Sequence, residues 1–530
     1  MDFLIAVSPI LLLIWMLTKP RALASHVALP LVAVLLWLIK LLYFDTPMSS
    51  ANATVILGVL ESLTPITIIW GAIFLFKTME LSGSMDVIRR WLNEITDNRT
   101  AQLMIIGWAF SFLIEGASGF GTPAALAAPL LVGLGFPPVR IAMLALVMNS
   151  VPVSFGAVGT PTWFGFGQLG LSESEMLAIG FKTALFHGIA ALFVPILALR
   201  FVIGWDEIRR NLGFVFLSIL SCTVPYVLLA RYNYEFPALF GGAVGLGLSA
   251  FLAHAGIGLA RTAAERPHRS VAPGQLFRAL FPLWGTLLIL LATRIQQLGI
   301  KGLLNRTEPA WTASLGPLGD FSVSPALVIS VNNVLGVAGA DGSWSYKTLY
   351  VPALIPFFLI SGLAFLIYRV DRGVIARIGR ESWERMVHPI IAMVGALVMV
   401  RLLMSGGDGS LVQIIGRGFA VAVGGAWIGF APYLGAVGSF FSGSATISNL
   451  TFGGIQASIA ASLGLDRTTI LALQSVGGGM GNMVCINNIV AVCSILGLSR
   501  QEGHIIKRTV VPMLLYGVAA VLAALALGGI

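Results

Sequence analysis

Apolar runs of roughly 20 residues, the length of helix that crosses a bilayer, recur from one end of this chain to the other and leave few folds open to it. We read spans at 3–17 (short), 27–44, 55–78, 141–159, 176–203, 212–230, 237–260, 279–298, 349–368, 386–404, 469–497 and 509–529. The hydropathy criterion therefore gives about twelve. Of the 530 residues, 57% are hydrophobic and 10% charged, against about 25% charged in soluble domains. A water-soluble protein this apolar would aggregate. The expected fold class is an all-α polytopic membrane protein with the lipid bilayer as its solvent. The first run has no basic segment before it and no small-residue cleavage site after it, so it reads as a retained span.

The net charge of +9 invites a nucleic-acid reading, but the basic residues are clustered in short loops between apolar runs. Lys19 and Arg21 share one loop; Arg89, Arg90 and Arg99 share another. Further groups follow 176–203 and 237–260, and precede 386–404 and 509–529. Loops 45–54 and 160–175 have no Lys or Arg. That alternation is the positive-inside pattern, with both termini outside and no nucleic-acid partner. Cys222, Cys485 and Cys493 all lie in apolar segments, so neither a disulfide framework nor a metal spacing emerges. No cofactor is expected. Segment 324–345 reads as a partial helix on the outer side.

Two apolar regions, 101–136 and 420–464, are broken by small and polar residues: Glu115-Gly-Ala-Ser-Gly-Phe-Gly-Thr-Pro123 and Ser442-Gly-Ser-Ala-Thr-Ile-Ser-Asn449. Non-helical backbone at membrane depth survives only inside protein or beside a wet cavity. Both regions are expected to be re-entrant helical hairpins. Each is preceded by three spans and followed by two. The chain then divides into a first repeat, 1–204, connecting spans, 205–278, and a second repeat, 279–530, inverted relative to the first. Inverted repeats with broken helices are a transporter architecture, and alternating access is the expected mechanism.

The chemistry follows from the breaks. Free N–H groups at a helix start suit a carboxylate, and glycines admit a ligand close to the backbone. Ser118, Gly119, Thr122, Ser444, Thr446, Ser448 and Asn449 at the tips are candidate substrate contacts. Asn149, Asn482 and Asn487 join them from the polar interruptions of 141–159 and 469–497. The competing explanation is that small residues merely allow close helix packing. Glu115 is an ionisable group at a tip, and such groups in membranes are functional by default; it is the candidate proton or cation carrier. Lys182 and His187, taken to share a helix face, are the other coupling candidates, and Glu61 is a weaker one. Lys40, Arg294 and Arg401, near span ends, are expected to snorkel.

The stretch from Glu115 to Pro123, with Leu130-Leu-Val-Gly-Leu-Gly-Phe136 after it, resembles the signature of the bacterial lactate permease family. Asn149-Ser-Val-Pro-Val-Ser-Phe-Gly-Ala-Val-Gly159 and Gly443-Ser-Ala-Thr-Ile-Ser-Asn449 resemble its later motifs. The resemblance implies import of lactate, glycolate or a related 2-hydroxy acid with a proton. Its site positions would be Glu115, Ser118, Gly119, Ser444, Thr446, Ser448 and Asn449. It departs from the family pattern at Ala445, where an acidic residue is usual, and at Met483-Val-Cys-Ile-Asn487. A homodimer is expected by analogy with other hairpin transporters. Two rivals remain: a cation–proton antiporter on the same scaffold, and an intramembrane serine protease. The second rests on Gly116-Ala-Ser-Gly119 and a later His254, and requires Ser118 and His254 to meet.

Overall fold

The computed structural model describes residues 1–18, 23–119, 122–260, 271–294, 298–339, 342–351, 354–498 and 500–527. Among these, ten helices are long and apolar enough to cross a membrane, or up to 12 if each of two bent pairs counts as one span. This is a multi-pass membrane protein. The read spans recur closely: 212–230 is the helix Leu212–Ala230, and 509–529 is covered by Glu502–Ala526. The 55–78 span is longer, running Met48–Glu61 and Leu63–Leu81 about a break at Ser62. The 386–404 span is the apolar end of a 33-residue helix, Arg372–Met404. The 237–260 span stops at His254.

The chain packs as two compact units, each drawing on both halves of the sequence: residues 1–84 with 280–418, and 85–279 with 419–530.

In the first unit, Ser25–Leu42, Met48–Glu61 and Leu63–Leu81 all pack on Arg372–Met404. Glycines set the approach. A Cβ on Gly58 would lie 2.7 Å from Val398 Cα, and one on Gly395 would lie 2.6 Å from Pro30 N. Charges that enter this bundle are paired. Lys77 Nζ is 2.8 Å from Glu80 Oε2 and 2.8 Å from Glu381 Oε2. Two expected snorkellers are instead partnered inside the protein: Lys40 donates to Ser405 O at 2.8 Å, and Arg401 donates to Glu61. Burial explains both, because a buried cation needs a fixed acceptor where water is absent. The Arg294 side chain lies outside the described residues.

Segment 324–345 is not a helix. It belongs to a four-stranded antiparallel sheet in sequential order, β1 (Trp311–Ser314), β2 (Asp320–Val323), β3 (Val328–Asn332) and β4 (Trp344–Lys347). Val328-Ile-Ser-Val331 and Trp344-Ser-Tyr346 are β-branched and aromatic runs of strand length. Val331, Val334 and Trp344 pack on Ala53 and Leu57. An open sheet edge cannot sit in hydrocarbon with its backbone groups unpaired, so the sheet stands in water.

The second unit holds both hairpins. The first runs up through a π-helix, Leu103–Phe110, and an α-helix, Ser111–Ser118, breaks, and returns as Thr122–Gly133. The second runs through Trp427–Ser442, turns at Gly443, and returns as Ala445–Leu463. The arms of each hairpin pack on one another. Ser111–Ser118 crosses Pro237–His254 at very close range. A Cβ on Gly116 would lie 2.2 Å from Leu239 N, and one on Gly242 would lie 2.3 Å from Leu113 N. Beside each hairpin runs a helix broken by a 3-10 turn, at Pro152–Phe155 and at Asn482–Val484.

Candidate functional site

The two hairpin breaks and the two 3-10 breaks meet around one small cavity. On the first-hairpin side it is lined by Glu115, Gly119, Asn149, Gly156 and Ala157. On the other side stand Gly443, Ser444, Ala445, Thr446, Asn482 and Asn488. All of these belong to the second unit. About 20 Å³ is left open, room for about one water.

Each wall has a local cause. The first arm ends because Gly119 adopts φ 59, ψ −152, a conformation essentially reserved to glycine. The second hairpin turns because Gly443 is left-handed at φ 73, the usual helix terminator. Ser444 then caps the returning helix, its side chain accepting from Ile447 N at 3.3 Å. The N–H groups of Ala445 and Thr446, at the start of that helix, have no intrahelical acceptor, and both residues line the cavity.

Glu115 is 3% exposed. Its Oε2 accepts from Asn149 Nδ2 at 3.0 Å, and its other oxygen rests on Gly156, where a Cβ would lie 2.3 Å away. Asn149 Oδ1 is buried and has no hydrogen-bond partner among the described residues.

Next to Gly156 comes a feature the sequence did not announce. Ala157, Val158 and Gly159 are all left-handed, at φ 43, 57 and 70. A β-branched residue there is a true outlier, and such strain persists only where surroundings enforce it. Side chains supply the enforcement: Thr160 donates to Ala157 O at 2.5 Å and Trp163 Nε1 to Val158 O at 3.0 Å. Thr162 donates to Ser154 O at 2.7 Å. Only the two glycines bracketing Ala157-Val158 hint at this turn in the sequence.

The structure brings together some of the candidate residues and separates others. Glu115, Gly119, Asn149, Ser444, Thr446 and Asn482 line the cavity. Ser118 does not: its hydroxyl donates to Ile114 O at 3.0 Å. Ser448 donates to Gly435 O at 2.6 Å, tying the two arms of the second hairpin together, and Asn449 donates to Pro161 O at 2.8 Å, tying that hairpin to Gly156–Trp163. Asn487 is not in the wall, whereas Asn488 is, donating to Asn482 Oδ1 at 2.9 Å. Adjacent helical residues point about 100° apart, and sequence alone did not give which would turn inward. The Thr122 side chain lies outside the described residues.

Lys182 and His187 do not share a face. They are five positions apart, about 140° around a helix. Lys182 Nζ donates to Asp466 Oδ2 at 2.7 Å and to Thr469 Oγ1 at 3.0 Å. Asp466 in turn caps the helix Arg467–Gly481. Burial pushes the Asp466 carboxyl up, but hydrogen bonds from Lys182, Thr469 and Thr468 outweigh it and hold the group well below the usual carboxylate range. His187 is fully buried behind the cavity. Its Nε2 lies 2.8 Å from Ser154 Oγ, and its Nδ1 bonds the Tyr516 hydroxyl. Ser154 gives its proton to Ser475 O at 2.9 Å, and Ser475 Oγ donates to Ser154 Oγ at 3.0 Å. Nε2 must therefore be the donor to Ser154, and Tyr516 the donor to Nδ1. Nothing in the pattern of isolated Ser, His and Tyr residues marked this network beforehand.

The profile of the L-lactate permease family matches residues 2–528. The chain belongs to that family. A Haemophilus influenzae relative whose name places it among the L-lactate permeases is 51% identical over 525 residues, 99% of this chain and 98% of its own. The L-lactate permease of Escherichia coli K12 is 29% identical, covering 97% of this chain and 93% of the relative. The glycolate permease GlcA of the same strain is 26% identical over 97% of this chain and 93% of the relative.

A member of a permease family is a transporter and not an enzyme, and the geometry removes the protease reading independently. Ser118 is engaged with its own helix, while His254 ends Pro237–His254 and lines a different cavity with Trp91 and Ile95. Lys182 has a structural task in this permease. The Lys182→Met variant is expected to lose about 0.5–1 kcal/mol of stability, small because Asp466 is half exposed to solvent. Its substrate KM should not change; thermal unfolding and uptake kinetics of one preparation check both.

Proposed function

We propose that this chain carries L-lactate, or a closely related 2-hydroxy monocarboxylate, across the cytoplasmic membrane together with a proton. The observation that carries the reading is the cavity that Glu115 and Asn149 line together with Ala445 and Thr446, the residues that open Ala445–Leu463 and whose N–H groups have no intrahelical acceptor. Those N–H groups, with the Ser444 and Thr446 hydroxyls, suit a carboxylate. Asn149 lines the same cavity on the first-hairpin side, where its amide can reach that carboxylate, and Glu115 is the proton carrier. The family membership and the names of the relatives support the same substrate class.

The cavity has room for about one water, so a carboxylate enters only when the hairpin tips part. That requirement fits alternating access, with the site contained in one unit. Each half of the sequence supplies one hairpin followed by one helix with a 3-10 break, which supports the inverted-repeat reading.

Labelled L-lactate uptake into proteoliposomes, with and without an inward proton gradient, tests the function. Gradient-driven uptake competed by glycolate is the expected result; uptake indifferent to the gradient counts against proton coupling. A second expectation follows from Gly156. Its φ of −63 and ψ of 156 accept any residue, so alanine strains no backbone there. The added methyl would instead displace the Glu115 carboxylate. Gly156→Ala should fold normally yet lose about 10²-fold in initial uptake rate, the scale of an ångström misplacement at a reacting group.

A further inference from the structure

An ionised carboxylate only accepts hydrogen bonds, so Asn149 must turn Nδ2 toward Glu115 Oε2. That orientation leaves Asn149 Oδ1 without a partner in a residue that is 7% exposed and lines the cavity. A buried acceptor left unpaired is costly, so it favours any rearrangement that gives it a donor. Glu115 is held in place, because its Oε1 is seated on Gly156 and lies 3.5 Å from where a Cβ on Gly119 would be. Once Glu115 binds a proton, its hydroxyl becomes a donor, and the favoured pairing inverts. The O–H then donates to Asn149 Oδ1, and Nδ2 turns to the cavity.

We propose that the Asn149 side-chain amide relays the charge of Glu115 to the cargo by rotating about its own axis. With Glu115 ionised, the amide shows the cavity a lone pair, which repels a carboxylate. With Glu115 protonated, it shows two N–H donors, which bind one. Proton and carboxylate thus enter as a pair, with no contact between them. This deepens the proposed function and rests on its reading of the cavity as the site of a small carboxylate.

The surroundings leave Glu115 as the group that titrates the amide. Its arm packs against Leu103–Phe110, Thr122–Gly133, Pro152–Phe155, Gly156–Trp163 and Pro237–His254. Among the described residues of these elements, His254 is the one titratable side chain, and it lines the separate cavity. Tyr226 stacks edge-on against Phe112 and Phe155 and donates to Val151 O at 3.3 Å. His187 stands behind Ser154, and Arg140 lies at the far end of the helix that leads to Asn149.

The test is equilibrium binding of labelled L-lactate to the purified full-length protein, from acidic to alkaline pH. In the wild type, Kd should rise about tenfold per pH unit above the Glu115 midpoint, because only the protonated form is competent. Asn149→Leu should bind more weakly and lose that slope. Asn149→Gln, which keeps an amide able to turn either way, should retain it. A full slope in Asn149→Leu would mean that Glu115 repels the anion directly, and the relay would be wrong. Failure of the wild type to bind L-lactate at any pH would overturn the substrate reading, and the relay with it. If Asn149→Leu does not fold, infrared difference spectra of wild type carrying ¹³C-amide asparagine decide. The expected result is a carbonyl band that shifts on acidification and is missing in Asn149→Gln; no shift overturns the relay.

Discussion

Glu115→Gln protein is expected to exchange L-lactate across a membrane while failing to accumulate it against a gradient. Glutamine preserves the size of the side chain and its contact with Gly156, so the cavity wall should remain intact. What it cannot do is gain and lose a proton. One pH unit is worth about 1.4 kcal/mol per proton, about tenfold in concentration. Proteoliposomes under a gradient of one unit should therefore hold L-lactate at close to tenfold excess with wild type and close to equality with the variant. Counterflow of labelled for unlabelled L-lactate should survive in both. Accumulation by the variant at the wild-type ratio would remove Glu115 from the coupling.

The second large effect concerns stability, and it lies in the first unit. Glu61 and Arg401 form an ion pair in which both side chains are nearly buried, at 10% and 14% exposure. The pairing uses one oxygen and one guanidinium nitrogen; Glu61 Oε2 and Arg401 Nε have no hydrogen-bond partner among the described residues. Neutralising one member strands the other charge away from water. Glu61→Gln is expected to cost about 3–5 kcal/mol, visible as a large drop in the unfolding temperature in detergent. Combining it with Arg401→Leu should recover most of the loss, because the pair has by then been replaced rather than broken. A single variant as stable as the parent would show that the pair is solvated in the folded protein.

What could be read from the sequence was what repeats over long distances. The spans announced themselves because each must be apolar over its whole length, and the hairpins because glycine and serine interrupt that rule at Glu115–Pro123 and Ser442–Asn449. Features set by a single rotation or a single backbone angle were not legible. Ser448 and Asn449 are as polar as Ser444 and Thr446, yet their positions on the turning helix direct them into packing. Lys182 looked like a coupling candidate because its partner, Asp466, is 284 residues away in the chain. The left-handed turn at Ala157–Gly159 depends on Thr160 and Trp163 reaching back to its carbonyls and on Thr162 reaching Ser154 O before it, and no local pattern encodes that. The sheet was missed for another reason: a segment between spans was presumed helical because everything around it is.

That sheet also has a practical consequence. A transporter surrounded by detergent offers an electron microscope a smooth, nearly featureless particle. Here a small folded outcrop of β-structure stands in water, fixed to the helices by Val331 and Trp344 packing on Leu57. An antibody fragment raised against its β1 edge, with Trp311 at the surface, would give image alignment a rigid landmark. The epitope and the lining of the cavity belong to different units, so the fragment's binding edge and the proposed cargo site share no residue.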